Sequence, residues 1–169
     1  DDADNNVAIG KLAMGGADVS GADNIAIGTT SADALTSGDN NIAIGLNAYG
    51  AATTGSDNIA IGKTAMGTAA VTGSQNIAIG QDSADALTCG ACTIAIGLSA
   101  YGTAVAGGLN IAIGKQAMGN ALVTGIDNIA LGTTAMDALT SGICNVAIGI
   151  NALGASTTGC LNVAIGNSA

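Results

Sequence analysis

The chain has no proline, histidine, phenylalanine, tryptophan, arginine or glutamate, and its only aromatics are Tyr49 and Tyr101. Each absence excludes something. Without histidine or glutamate, an acid–base pair or a zinc site is hard to assemble. Lys11, Lys63 and Lys115 are the only cations against twelve Asp, a net charge of −9. That balance argues against nucleic acid, whose phosphates demand a basic footprint. It argues equally against an anionic membrane surface. Charged residues make up 9% of the chain, where ordinary domains carry about 25%. Missing proline suits backbone ladders that use every N–H. Missing aromatics suit a narrow bore better than a globular core with irregular volume to fill.

What is present is a repeat. The pentapeptide Asn24-Ile25-Ala26-Ile27-Gly28 recurs ten times between Asn6 and Gly166. Its glycines are Gly10, Gly28, Gly45, Gly62, Gly80, Gly97, Gly114, Gly132, Gly149 and Gly166, spaced 18, 17 and 17 residues three times over. A period this short is that of a solenoid, and it suits one β-coil better than a helix pair of about 34 residues. The expected fold is all-β, a parallel β-solenoid of ten coils in one domain over residues 1–169.

Ile25 and Ile27 alternate with Asn24 and Ala26, the period-2 pattern of a strand with one apolar face. The branched pairs are expected inside, with Asn and Ala on the other face. A second glycine column (Gly21, Gly38, Gly55 and so on) lies three residues before each motif Asn. Two residues before that glycine stands Val19, Thr36, Thr53, Val71, Thr88, Val105, Val123, Thr140 or Thr157. All are β-branched, so a second strand per coil is expected. Both glycine columns read as corners, needing positive φ or close approach of coils. The third residue after each motif glycine is always Ala or Ser, as a tight corner demands.

A longer period of 52 residues relates Lys11, Lys63 and Lys115, then Asp33, Asp85 and Asp137, then Tyr49, Tyr101 and Leu153. Triplication of a gene segment accounts for it, as does a partner that reads every third coil. At about 4.8 Å per coil, ten coils rise roughly 48 Å. The two residues before the motif Asn drift from polar (Asp39/Asn40, Ser56/Asp57, Ser74/Gln75) to apolar (Leu109, Ile126, Ile143, Leu161). Such a stripe reads as a contact surface, or as loops tucked back over the corner.

Candidate chemistry is sparse. Cys89 and Cys92 have Cys-x-x-Cys spacing without the second pair or histidines that zinc needs. Cys144 and Cys160 are sixteen residues apart, almost one coil, which leaves free buried thiols and a disulfide both open. The Asn column reads as an axial hydrogen-bond ladder rather than a row of ligands. Asp82 and Asp85 are the closest acidic pair within a coil, with no sign of the buried pocket a glycosidase acid needs. No catalytic, cofactor-binding or metal residue is therefore assigned, and no enzyme activity is expected. Residues 86–114 carry no charge for 29 positions. They keep the strand-and-glycine register of their charged neighbours, so a transmembrane reading is rejected. No signal peptide is visible. Asp1-Asp2-Ala3-Asp4 reads as an internal boundary, which points to a segment of a longer chain.

Motifs of the type Asn-x-Ala-Ile-Gly-x-x-Ala followed by Thr-Thr-Gly, as in Asn41 to Asn58, resemble repeats of bacteriophage tail fibres. They are also similar to the head repeats of YadA-like trimeric autotransporter adhesins, whose coils are shorter. The resemblance implies a left-handed β-roll, three chains around one axis, on a virion tail or bacterial cell surface outside the cell. A homotrimer is expected through the Ala/Asn face, because a lone stack would expose that face with few charges to keep it soluble. The leading expectation for function is a structural fibre or stalk segment supporting attachment to a host or surface. The alternative is a monomeric ice-binding or other ladder-type surface-binding solenoid. Its best row is Ser20, Ser37, Thr54, Thr72, Cys89, Ala106, Thr124, Ser141 and Thr158, interrupted at two places. A polysaccharide-cleaving tailspike is a third reading and needs clustered carboxylates in a groove.

Overall fold

The computed structural model describes residues 5–16 and 18–169. Asp1-Asp2-Ala3-Asp4, read above as a boundary, lies outside the described residues. Ten strands of three residues follow in chain order: β1 (Val7–Ile9), β2 (Ile25–Ile27), β3 (Ile42–Ile44), β4 (Ile59–Ile61), β5 (Ile77–Ile79), β6 (Ile94–Ile96), β7 (Ile111–Ile113), β8 (Ile129–Leu131), β9 (Val146–Ile148) and β10 (Val163–Ile165). They form one parallel sheet in the order β1 to β10. Each strand pairs in exact repeat register, so Ala43 lies between Ala26 and Ala60. The fold is a parallel β-solenoid with one coil per 17–18 residues.

The faces of that sheet are the reverse of the expected ones. The strand alanines from Ala26 to Ala147 are wholly buried, and so are the motif residues Asn24 to Asn145 that share their parity. The flanking Ile, Val and Leu point outward and are half-buried or exposed. Two causes decide this. Asn is needed inside: Asn41 donates through Nδ2 to the Gly55 carbonyl at 2.9 Å, satisfying a corner that no strand bond reaches. Because side chains alternate, Ala must follow Asn inward and Ile must go out. The bore is also already occupied from its opposite wall.

That wall explains the 52-residue period through packing. In the 18-residue coil the bore is filled by Met66 and Val71, in the next by Ala84 and Leu87, and in the third by Tyr101 and Ala104, all buried. Each coil thus supplies one or two large groups by a different route, and the sequence of three recurs. In the last unit Met136 replaces the alanine beside Leu139, and Leu153 replaces the tyrosine.

The second column of β-branched residues forms no strand among the described residues. The extra residue of the 18-residue coil shifts the parity. Val71 faces in two places before its glycine, whereas Leu87 and Ala104 face in three places before theirs. A one-residue slip turns every side chain over, so no continuous pleat survives. Instead Thr36 and Ser37 both donate their N–H to the Thr53 carbonyl at 2.9 and 3.3 Å, and Thr36 adds its hydroxyl at 2.9 Å.

The corners are built from left-handed backbone. Gly45 has φ of 137°, and a Cβ there would lie 2.5 Å from the Gly62 oxygen of the next coil. Gly38 has ordinary φ, yet a Cβ on it would collide with the Gly55 carbonyl. Both expected reasons for glycine therefore operate: close approach in both columns, and positive φ in the motif column. Three non-glycine residues per coil also take positive φ, for example Asp57 (58°), Thr64 (52°) and Met66 (47°). The last two flank Ala65, which is wholly buried at the turn.

Candidate functional site

One continuous surface feature is the outward face of the sheet. Two aliphatic columns run its length, from Val7 and Ile9 to Val163 and Ile165, each residue directly over its counterpart. The backbone ladder continues past the motif glycine: Gly45 N donates to Ile27 O at 2.8 Å, and Asn47 N donates to Thr29 O at 2.9 Å. The residue directly after that glycine therefore stacks on its counterparts as well. Read down the axis, this flanking column is Lys11, Thr29, Leu46, Lys63, Gln81, Leu98, Lys115, Thr133, Ile150 and Asn167, and all ten are exposed. Ile150 keeps 57% of its surface exposed and Leu46 49%.

The Ala/Asn face expected to join three chains is not on the surface. Those columns line the bore, so the interface assigned to them is corrected. The Asn residues form the ladder that the sequence suggested, with interruptions. Asn41 Nδ2 donates to Asn24 Oδ1 at 3.0 Å and Asn76 Nδ2 to Asn58 Oδ1 at 3.1 Å. Asn58 and Asn110 instead donate to the hydroxyls of Tyr49 and Tyr101, both at 2.8 Å. Thr93 replaces one Asn, and its hydroxyl reaches the Gly107 carbonyl only at 3.5 Å. Burial pushes both tyrosine hydroxyls well above their ordinary pKa, against the hydrogen bonds from Asn58 and Asn110.

The drifting corner stripe is exposed at Leu109, Ile126, Ile143 and Leu161, the last to 80%. Their loops do not tuck back over the corner. Leu109 and Leu161 hold left-handed φ of 58° and 60°, a conformation that Asp57 and Asn40 accept more readily in the first half. All four cysteines are free and exposed, so neither the buried thiols nor the Cys144–Cys160 disulfide left open by the sequence is found. Cys92 Sγ lies 3.4 Å from Gln75 Oε1 of the neighbouring coil. The Ser/Thr row from Ser20 to Thr158 is exposed at all nine positions.

Asp82 and Asp85 border a hollow of about 210 Å³ with Ser99, Thr103, Gln116 and Asn120. The hollow opens where Ser99 replaces Asn47. In the earlier unit Asn47 Nδ2 reaches the Gly67 carbonyl at 3.1 Å, whereas here Thr103 Oγ1 takes the Gly119 carbonyl at 3.0 Å. Hydrogen bonds from Thr64 and Gln81 hold the Asp82 carboxyl below its usual range, with Lys63 adding a weaker attraction against some burial. Burial raises Asp85, opposed mainly by Thr68, whose N–H donates to Oδ1 at 3.1 Å. Among the described residues no three His, Cys, Asp or Glu side chains gather into a cation site. No helix of the described residues is long and apolar enough to cross a membrane.

Sequence reading found the aliphatic columns but put them on the wrong side, and it missed the flanking column altogether. The signal was there in the Lys–polar–Leu order after successive motif glycines. Protein-family models, curated proteins and solved structures yield no match to this chain.

Proposed function

We propose that this chain is a structural fibre or stalk segment of a phage tail fibre or bacterial surface adhesin, outside the cell, assembled as a parallel homotrimer. The observation that carries the reading is the uninterrupted aliphatic sheet face, ten strands long, on the outside of the coil. An exposed apolar surface of that extent is characteristic of an interaction site. Its axial repeat of about 4.8 Å is matched along its whole length by another parallel solenoid with the same coil spacing. A second and third copy have that spacing by construction. The motif resemblance to tail-fibre and adhesin repeats supports the same arrangement. Within such a segment, function lies in shape: a rod with its backbone bonds closed from coil to coil, spacing other parts of an attachment organelle.

Replacing Ile61 and Ile96, in the middle of the face, by lysine tests the reading. Sedimentation velocity is expected to show the wild type as a multichain species and Ile61→Lys/Ile96→Lys as single chains with unchanged far-UV circular dichroism. An unchanged mass for the double variant would overturn the face as the interface.

The second reading, a monomeric ladder-type binder such as an ice-binding solenoid, is favoured by the exposure of the whole Ser/Thr row. Its hydroxyls are partly turned away: Ser20, Thr72 and Thr124 donate to carbonyls of the next coil at 3.2 to 3.4 Å. A thermal-hysteresis assay decides it, with ice shaping expected only if this row is the binding face.

A further inference from the structure

We infer that Cys144 and Cys160, free in the reduced chain, are the two halves of a disulfide clamp between the coils of β9 and β10, closed by exchange with a low-molecular-weight disulfide. The coil ladder sets their juxtaposition. Cys144 stands two residues before β9 and Cys160 three before β10. The Leu161 N–H donates to the Ile143 carbonyl at 3.1 Å, so the Cys160–Leu161 peptide stacks on the Ile143–Cys144 peptide. The two cysteines are diagonal corners of that stack. With about 4.8 Å between coils and about 3.8 Å along the chain, their Cα atoms are about 6 Å apart. Disulfides span about 4.4 to 6.8 Å.

Side chains in the Cys160 column lean onto the neighbouring coil. Ser56, which holds the same place in the first unit, accepts from the Asp39 N–H through Oγ at 3.0 Å. A Cβ built at Gly108, the same place in the middle unit, would lie 2.8 Å from the Ala91 oxygen, over the peptide that ends in Cys92. Cys160 is thus aimed at the peptide that ends in Cys144. In the reduced chain its Sγ rests 3.5 Å from the Thr158 carbonyl of its own coil, and a turn about χ1 swings it across. The Cys144 column also reaches along the axis, since Cys92 Sγ meets Gln75 Oε1 at 3.4 Å. The corresponding pairs in the other units are Asn40 with Ser56 and Cys92 with Gly108, so the last unit alone sets two thiols across a coil boundary at this corner.

Both thiols are exposed, so a small oxidant reaches them. One cysteine thiolate attacks the oxidant's disulfide, forming a mixed disulfide and releasing one small thiolate. The second cysteine thiolate attacks the protein sulfur of that mixed bond, forming the Cys144–Cys160 bond and expelling the other small thiolate. The two protons that the cysteines give up end on the two released thiols. One disulfide is reduced for the one formed. The bond closes a single coil and limits how far β10 can part from β9. The clamp lies within one chain, so it stands apart from the homotrimer reading.

The test uses a Cys89→Ser/Cys92→Asn chain, whose new residues are those of Ser37 and Asn40 at the same places in the first unit. The folded chain is equilibrated with glutathione disulfide and analysed without reductant. The expected product has lost two hydrogens by intact mass and yields one peptic fragment joining the Cys144 and Cys160 segments. Amide hydrogen exchange at Leu161 and Gly166, whose N–H groups bridge the two coils, is expected to slow about tenfold or more on oxidation. Exchange at Gly45, in the third coil, is expected to stay unchanged. The same digest of the unaltered chain is expected to contain the same joined fragment, which keeps the test independent of the two substitutions. Glutathione adducts alone, bonds between chains, or two thiols left free would each overturn the inference. So would a joined fragment without slower exchange at Leu161 and Gly166, because the bond would then not hold the coils together.

Discussion

Asn58 donates its side-chain amide to the hydroxyl of Tyr49 at 2.8 Å, nine residues away, and the same bond recurs one period later between Asn110 and Tyr101. Each tyrosine passes its own proton on to a corner carbonyl, Gly55 at 3.0 Å and Gly107 at 2.6 Å. The large residue that fills the bore is thus tied to the residue that closes the corner. Removing the hydroxyls with Tyr49→Phe or Tyr101→Phe leaves the Asn amides their second acceptors, Gly73 and Gly125. The expected cost is about 1 to 3 kcal/mol each, because each hydroxyl makes two buried hydrogen bonds of about 0.5–1.5 kcal/mol net. Urea denaturation with unchanged slope checks it.

Alkaline stability follows from the same pair. Burial raises both tyrosine pKa values in the folded chain above the ordinary value near 10. The folded state therefore holds its protons at a pH where the unfolded state has begun to lose them. The tyrosine contribution to stability is constant below about pH 10 and falls as pH rises beyond it. The Tyr49→Phe/Tyr101→Phe chain is expected to lose this fall, measured as denaturation midpoint against pH by far-UV circular dichroism. A wild-type midpoint that stays flat above pH 10 would contradict the burial.

The inverted faces make a direct prediction. Ala95 is wholly buried in the sixth strand, so added carbon has to fit inside the bore. Ala95→Val is expected to cost about 1 to 3 kcal/mol through overpacking. Ile94→Thr on the outward face is expected to leave the fold of the single chain within about 0.5 kcal/mol, as surface changes usually do. Comparing the two midpoints under conditions where chains do not associate separates an interior alanine column from an interior isoleucine column.

Much of the architecture was legible in the sequence because one residue offset governs every coil. The spacing of Gly28, Gly45 and Gly62 dictates stacking whatever lies between them. The face assignment was not legible from hydrophobicity alone, because Ile25 outranks Ala26 on any scale. The decisive partner was Asn24, whose amide is required at the Gly38 carbonyl and drags Ala26 inward by parity. The absent second strand was hidden for a related reason. Val71 and Thr88 sit at the same offset from their glycines but on opposite sides of the wall, since one coil has an extra residue. The flanking Lys–polar–Leu column was visible as letters, and only the ladder bond between Asn47 and Thr29 showed that it stacks.

The corner stripe yields a stabilising change. Leu161 carries φ of 60° with 80% of its surface exposed. Left-handed backbone costs a branched or bulky residue roughly 1 to 2 kcal/mol, and Asn is among the few that adopt it readily. Asn40 occupies the same column in the first unit with φ of 57°. Leu161→Asn is expected to raise the melting temperature, read by calorimetry. A lower melting temperature would show that the leucine contributes a contact worth more than its strain.

The central claim is that the outward aliphatic face joins copies of this chain. Multi-angle light scattering of the wild-type chain at micromolar concentration measures that most directly. The account predicts three times the 15.8 kDa chain mass, and a species of one chain mass across the concentration range would contradict it.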